Sequence, residues 1–173
     1  MKKLTIFIIV VFSILNSCSI NKQEAKFFPL WWQQQDKESI SSFGQGINAD
    51  EKTARFAAQN DAYKKISGQA AYYLNQHVAE NCIAPGDKQI QNELDNIFRH
   101  FMNYFNNIEK PEITIGESEF VRVTIDRKNK IEYFIRLYVE SKYVHSKFVE
   151  FLDTTDRYMN PKLRAVLKEC FEE

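Results

Sequence analysis

The chain carries no excess of charge of either sign. It has 23 Lys and Arg residues against 23 Asp and Glu residues, so its net charge favours neither nucleic acid nor an acidic membrane surface as a partner. Glycine and proline are scarce, at five and four in 173 residues, which excludes collagen-like and low-complexity classes. The hydrophobic fraction of 44% and the 14 phenylalanines are typical of a globular protein with a sizeable core.

Sequence signatures of catalysis are also missing. We find no Gly-x-Ser-x-Gly elbow, no His-Glu-x-x-His and no Cys/His nucleophile pattern. Gly44-Gln45-Gly46 precedes a predicted helix, but it lacks a third glycine and a Gly-Lys-Ser/Thr, so it does not predict a phosphate-binding loop. We therefore expect a protein that is not an enzyme. A hydrolase whose catalytic groups assemble in space from distant residues would escape such a search.

Histidine is rare, and its three positions are far apart on predicted helices: His77, His100 and His145. His77-x-x-Glu80-x-Cys82 resembles loose metal-ligand spacing. A surface histidine near a helix end explains the pattern more simply. The sequence therefore predicts no metal and no cofactor.

Long hydrophobic runs are limited to one near the start of the chain. Lys2 and Lys3 precede an almost unbroken apolar run over Leu4–Leu15, which is shorter than the ~20 residues of a membrane-spanning helix. The run ends in Leu15-Asn16-Ser17-Cys18, which resembles a bacterial lipobox. The resemblance implies cleavage before Cys18 and a lipid on its sulfur. The alternative is an ordinary secretory signal with an incidental cysteine.

The lipobox divides the chain into a signal peptide over residues 1–17, a lipidated tether over 18–26 and one α+β domain over 27–173. Two or more acyl chains hold a protein on a membrane stably, at ~0.8 kcal/mol per buried methylene. Ser19 after the cysteine resembles lipoproteins of the outer membrane. We therefore expect a lipid-anchored protein of the outer membrane that faces the periplasm.

Two further cysteines, Cys82 and Cys170, remain in the predicted domain. An oxidising envelope permits a disulfide between them. Free cysteines also occur as small buried hydrophobic residues. Both interpretations stay open at this stage.

A strand followed at once by a long helix organises the predicted fold. The strand covers about 38–47, and it places Ser42, Gly44 and Gly46 on one face. Asn48 is the expected helix cap, and alanines then recur every four residues at Ala54, Ala58, Ala62 and Ala70. Glycines on one face of a strand are explained if a backbone approaches closely there. The pattern predicts close contact between this glycine strand and the alanine-rich helix.

Pro29-Leu30-Trp31, the Gly-x-Gly strand and the alanine helix, all behind a lipobox, resemble the LPP-twenty-like lipoproteins of bacterial outer membranes. The layout is also similar to the N-terminal domain of the flagellar assembly protein T. The resemblance covers roughly Phe28 to Ile66, with a looser match to a later hairpin. It implies a helix packed on a small antiparallel sheet, and it carries over no catalytic residue.

The rest of the sequence predicts three more helices and a hairpin. An aromatic stripe predicts a helix from an Asp87 cap to about Asn107; its members are Ile90, Leu94, Ile97, Phe98, Phe101, Phe105 and Ile108. Core packing explains this stripe, with a partner groove at Phe101 and Phe105 as the minor alternative. Helices are also expected over Ser141–Leu152 and from Asn160 onward. In the hairpin, the odd-numbered residues of both strands are expected to face the core.

Two sets of residues are candidates for an interaction surface. One is Trp31 with Trp32, of which we expect one ring to close the end of the core. The other is the even-numbered face of the hairpin, where aromatic and cationic groups mix: Phe120, Arg122, Phe134, Arg136 and Tyr138. Stacking between these groups on a solvated face is the alternative explanation.

The function that we expect is therefore a non-catalytic structural or interaction role. The partners would be the membrane, through the lipid on Cys18, and another envelope protein or a second copy of the chain. A carrier or sensor that binds a small apolar ligand between helix and sheet is the alternative. Nucleic acid is not expected.

Overall fold

The computed structural model describes residues 27–171 except 37, 84–87, 110 and 156–158. The predicted signal peptide, the tether with Cys18 and the predicted Asp87 cap lie outside the described residues. Those residues form four helices and one three-stranded antiparallel sheet, which confirms the α+β prediction. The elements follow in the order β1 (Ser39–Asn48), α1 (Glu51–Asn81), α2 (Lys88–Asn106), β2 (Thr114–Ile125), β3 (Lys128–Glu140), α3 (Ser141–Thr154) and α4 (Pro161–Phe171).

The sheet has the order β1-β3-β2, so β3 is the central strand. Helix α1 covers one face of the sheet, which we call the helix face, and the opposite side is the outer face. A Cβ atom placed on Gly44 would lie 2.6 Å from the backbone nitrogen of Ala62 and 2.8 Å from its Cβ. A Cβ atom placed on Gly46 would lie 2.5 Å from the backbone nitrogen of Ala58 and 2.9 Å from the Cβ atom of Ala57. The predicted close approach of a glycine strand to an alanine helix is confirmed.

The first turn of α1 is capped by Asp50, not by Asn48 as predicted. The Asp50 side chain accepts a hydrogen bond from the backbone nitrogen of Thr53 at 2.9 Å. A hydrogen bond from the Thr53 side chain, and secondarily the one from its backbone nitrogen, hold the pKa of Asp50 below its usual value. Asn48 still pairs with Ile131 as the last residue of β1, so it cannot act as the cap.

The smaller of two hydrophobic cores lies between the alanines of α1 and the sheet. The larger core lies where the C-terminal half of α1 meets α2, α3 and α4. Its centre is aromatic: Phe101 packs against Phe148 and Phe151 with ring centroids 5.2 and 5.7 Å apart. Phe101 and Phe105 are both buried. The alternative of a partner groove at these two residues is therefore wrong, because their rings are already covered.

The β2–β3 hairpin is present, but its face assignment was wrong for β2. Ile115 pairs with Leu137, and Ser118 pairs with Ile135. Two residues, Gly116 and Glu117, thus stand where β3 has one. This β-bulge reverses which side chains face which side. The odd-numbered residues of β3 do face the helix, but those of β2 after the bulge point to the outer face.

The bulge separates Arg122 from the surface to which we assigned it. Arg122 pairs with Ile131, and Phe120 pairs with Tyr133, on the helix face of the sheet. Phe134, Arg136 and Tyr138 lie on the outer face. No helix within the described ranges is both long and apolar enough to span a membrane.

Candidate functional site

The outer face of the sheet is covered in part by the segment that leads into β1. The rings of Phe27, Phe28 and Trp32 pack on Phe134 with centroid separations of 5.8, 6.0 and 5.2 Å. We call Phe27, Phe28, Trp31 and Trp32 the aromatic cap. Phe134 is 0% exposed, although it lies on the face opposite to the helix. The sequence predicted Phe134 as a contact residue for a partner. Its ring is instead buried under the aromatic cap.

A tight turn gives the aromatic cap its shape. The backbone nitrogen of Trp32 donates to the carbonyl oxygen of Pro29 at 2.9 Å, and the Gln34 side chain donates to the carbonyl oxygen of Leu30 at 2.6 Å. Gln33 closes the turn with a φ of 65°. The turn projects Leu30 outward, where its side chain is 94% exposed.

The two tryptophans have different roles in the aromatic cap. Trp32 contacts Phe43 and Phe134, at centroid distances of 5.5 and 5.2 Å, whereas the Trp31 ring is tilted against Trp32 at a centroid distance of 6.0 Å. Trp32 therefore packs on the outer face of the sheet rather than at the end of the helix-covered core. The sequence predicted that one of the two rings closes the end of the core, and this position is wrong.

The Arg136 side chain continues the outer face beyond the aromatic cap. Its Nε donates to Ser41 Oγ at 2.8 Å, and its guanidinium lies 5.9 Å from the centre of the Phe43 ring. Its Nη1 lies 3.4 Å from Glu117 Oε1, across the bulge. Trp32, Phe43, Arg136 and Glu117 thus form one continuous row. The cation–π contact of Arg136 is thus made with Phe43, a ring outside the set that the sequence suggested.

Beside Arg136 lies an open cleft that we call the acidic cleft. Tyr138 lines it, and its charged lining residues are Asp36, Glu38, Glu117, Glu140, Arg136 and Lys142. Four carboxylates face two cations there, so the cleft has acidic character. The sequence predicted Arg136 and Tyr138 but missed these carboxylates, because they come from the start of β1, the end of β3 and the β2 bulge.

Hydrogen bonds also fix β1 to the adjacent strand and to α1. The Gln45 side chain donates to Glu132, a buried carboxylate on the adjacent strand. The Gln45 backbone nitrogen donates to Asp61 at 3.1 Å, and Lys65 donates to the same carboxylate at 2.6 Å. Partial burial raises the pKa of Asp61, but these hydrogen bonds outweigh it and hold the pKa below its usual value.

A second cluster lies at the far end of α1. A disulfide joins Cys82, which follows α1, to Cys170 on α4, with the two Cα atoms 5.9 Å apart. His77 lies beside the disulfide, and its ring also contacts His145 with centroids 5.2 Å apart. His145 Nε2 lies 3.1 Å from the Tyr73 hydroxyl. Burial, and secondarily the charge of His77, lower the pKa of His145.

The contact between α1 and β1 bears on the alternative of an apolar ligand between helix and sheet. Ala54, Ala58 and Ala62 are all 0% exposed. At Gly44 and Gly46 the strand backbone lies directly against the helix backbone. The contact therefore leaves no space for a ligand at these positions.

No protein-family model matches the chain, and no curated protein matches it. The resemblance to the LPP-twenty-like lipoproteins therefore stays a prediction. It agrees with the fold to the extent that a long helix packs on a small antiparallel sheet.

Removing the Trp32 ring is expected to destabilise the protein by about 2 kcal/mol. A half-buried indole contributes about half of the 3–5 kcal/mol lost when a fully buried aromatic side chain is truncated. Trp31→Ala is the matched control and should cost less than about 1 kcal/mol, since its ring contact is to Trp32 alone among the ring contacts described. Urea unfolding of Trp32→Ala and Trp31→Ala measures both. Equal losses of unfolding free energy in the two variants would contradict the assignment of Trp32 as the ring that packs on the sheet.

Proposed function

We propose that the protein is a lipid-anchored component of the bacterial cell envelope that acts without catalysis, by binding another envelope component or a second copy through the outer face of its sheet. The observation that carries the proposal is the lipobox at Leu15–Cys18 with a short tether behind it. Eight residues lie between Cys18 and Phe27, and this stretch of chain spans at most about 30 Å. The aromatic cap therefore begins close to the anchor.

The outer face has the composition of a recognition surface. Leu30 is almost fully exposed beside two tryptophans, and aromatic residues with arginine are enriched at the centres of protein interfaces. Arg136 and the acidic cleft supply charges next to this apolar tip. Such charges favour selectivity and orientation of a partner more than raw affinity.

Replacing the lipidated cysteine tests the anchor. Cys18→Ala should move the protein from the membrane fraction to the soluble fraction, because the acyl chains supply the membrane affinity. Ser17→Ala is the matched control, since it keeps a small residue before the cysteine and should leave the protein with the membranes. Fractionation followed by immunodetection measures both. An unchanged distribution of Cys18→Ala would overturn the anchor.

Photocrosslinking tests the contact surface separately. A photoreactive amino acid in place of Leu30 should give a crosslinked adduct in intact cells. The same group in place of Asn60, an exposed residue on α1, should give none. No adduct at position 30, with the protein still in the membrane fraction, would reject the outer face as the contact surface and leave the anchor standing.

A further inference from the structure

Three soft metal ligands meet at the disulfide. The Sγ atoms of Cys82 and Cys170 and a ring nitrogen of His77 all lie within 4.8 Å of one another. All three residues are partly exposed, so a reductant and a metal ion can reach them. Two thiolates and one imidazole are a donor set that suits Zn²⁺. As a disulfide, however, the two sulfurs have no thiolate to offer.

We propose that reduction of the Cys82–Cys170 disulfide converts this end of the molecule into a Zn²⁺ site with Cys82, Cys170 and His77 as ligands. A dithiol donor supplies two electrons and two protons. Its own thiols become a disulfide, the Cys82–Cys170 bond breaks, and both cysteines become thiols. Zn²⁺ then displaces the two thiol protons to solvent, and two Zn–S bonds and one Zn–N bond form.

The ligands stay together after reduction because the disulfide is not the only link between α1 and α4. Leu163, Leu167 and Phe171 of α4 are buried in the helical core. Phe171 also packs on His77, with ring centroids 4.9 Å apart. Hydrophobic burial of this size holds α4 in place independently of the sulfur bridge. The reduced cysteines and His77 thus face one another in the folded protein.

The geometry requires only a small change. Two sulfurs at ~2.3 Å from a tetrahedral zinc ion lie about 3.8 Å apart, whereas bonded sulfurs are ~2.05 Å apart. The sulfurs must separate by roughly 1.7 Å, which side-chain rotation supplies with the Cα atoms near their present 5.9 Å separation.

Cys82, Cys170 and His77 would fill three of the four coordination positions of a tetrahedral Zn²⁺ ion. A set of three protein ligands and an open position is typical of zinc sites that bind water or an external group. His145, although it contacts His77, has its Nε2 engaged with the Tyr73 hydroxyl. We assign the fourth position to water.

Zn²⁺ titration tests the site on the full-length chain in detergent, with Cys18→Ser to remove the third thiol. One sample is oxidised, and the other is reduced with a phosphine that is then removed. The reduced protein should bind one Zn²⁺ in competition with a chromophoric chelator, and the oxidised protein should bind none. Co²⁺ should give visible absorption bands of thiolate coordination only in the reduced sample.

Two histidine variants assign the third ligand. His77→Ala should weaken Zn²⁺ binding of the reduced protein by tenfold or more, whereas His100→Ala, an exposed histidine on α2, should leave it unchanged. Far-UV circular dichroism follows the fold. Equal binding by oxidised and reduced protein, no binding by reduced protein, or wild-type affinity in His77→Ala each overturn the site. So does a reduced protein that loses its helix signal and does not regain it with Zn²⁺.

Discussion

Gly44→Ala is expected to destabilise the protein by at least about 3 kcal/mol. Overpacking usually costs 1–3 kcal/mol, and this site lies at the upper end because the added methyl group meets backbone. Its Cβ would lie 2.6 Å from the Ala62 nitrogen and would also clash with the Ala58 carbonyl oxygen. Neither group can rotate away, so α1 must move off the sheet and expose the alanines that it buries. Urea unfolding monitored by circular dichroism measures the loss.

Gly68→Ala is the matched control and should have the opposite sign. Gly68 lies inside α1, and an added Cβ would meet only the flexible end of Met102, at 3.7 Å. Alanine stabilises a helix interior by about 0.5–1 kcal/mol relative to glycine. Gly44→Ala thus measures the effect of overpacking, and Gly68→Ala measures the effect of helix propensity. A loss at Gly68 similar to that at Gly44 would contradict the close-approach explanation.

Removal of the disulfide is expected to have the second large effect. The double variant Cys82→Ser, Cys170→Ser should lose about 4 kcal/mol under oxidising conditions. The two cysteines are 88 residues apart in sequence, and a loop of this length gives about 4–5 kcal/mol in the chain-entropy treatment. The bridge also joins the last helix to the end of the longest one, so its loss removes a covalent constraint on the unfolded chain while the buried side chains of α4 keep that helix packed.

Reduced wild-type protein is the natural comparison for the double variant. Without added metal, thermal unfolding of the two should occur at similar temperatures. With Zn²⁺ the reduced wild type should regain stability while the double variant should not, because only the first retains thiolates. A double variant as stable as the oxidised wild type would contradict a structural role for the bridge.

The strand–helix unit could be predicted from the sequence because its signal is local. Gly44 and Gly46 share a strand face, and the alanines of α1 share a helix face. Because glycine has no side chain and that of alanine is small, this pattern predicts that the two backbones lie close together. The presence of the hairpin and of the helical core was likewise readable from periodicity. The face of β2 was predicted wrongly. One bulge at Gly116 and Glu117 reverses its parity, and the isolated Gly116 inside the strand pattern was the sequence signal that could have indicated it.

The candidate site was predicted only in part. Arg136 and Tyr138 were found because a mixed aromatic and cationic face is visible in one strand. Phe134 was assigned to solvent because the segment that buries it has no helical or strand periodicity, and its turn depends on a positive φ at Gln33. The acidic cleft depends on residues brought together by strand pairing from distant parts of the chain, which a single sequence does not reveal.

The strand order has a consequence for folding during the export that we propose. Strand β1 pairs with β3 alone, and Ser39 lies opposite Glu140. A chain that crosses a membrane from its N-terminus therefore delivers the glycine strand and the aromatic cap long before the strand that both require. Such distant pairings slow folding. Until β3 arrives, exposed aromatic rings and an unpaired strand edge follow directly behind the predicted lipid attachment point, which makes this interval the one in which a chaperone is most needed.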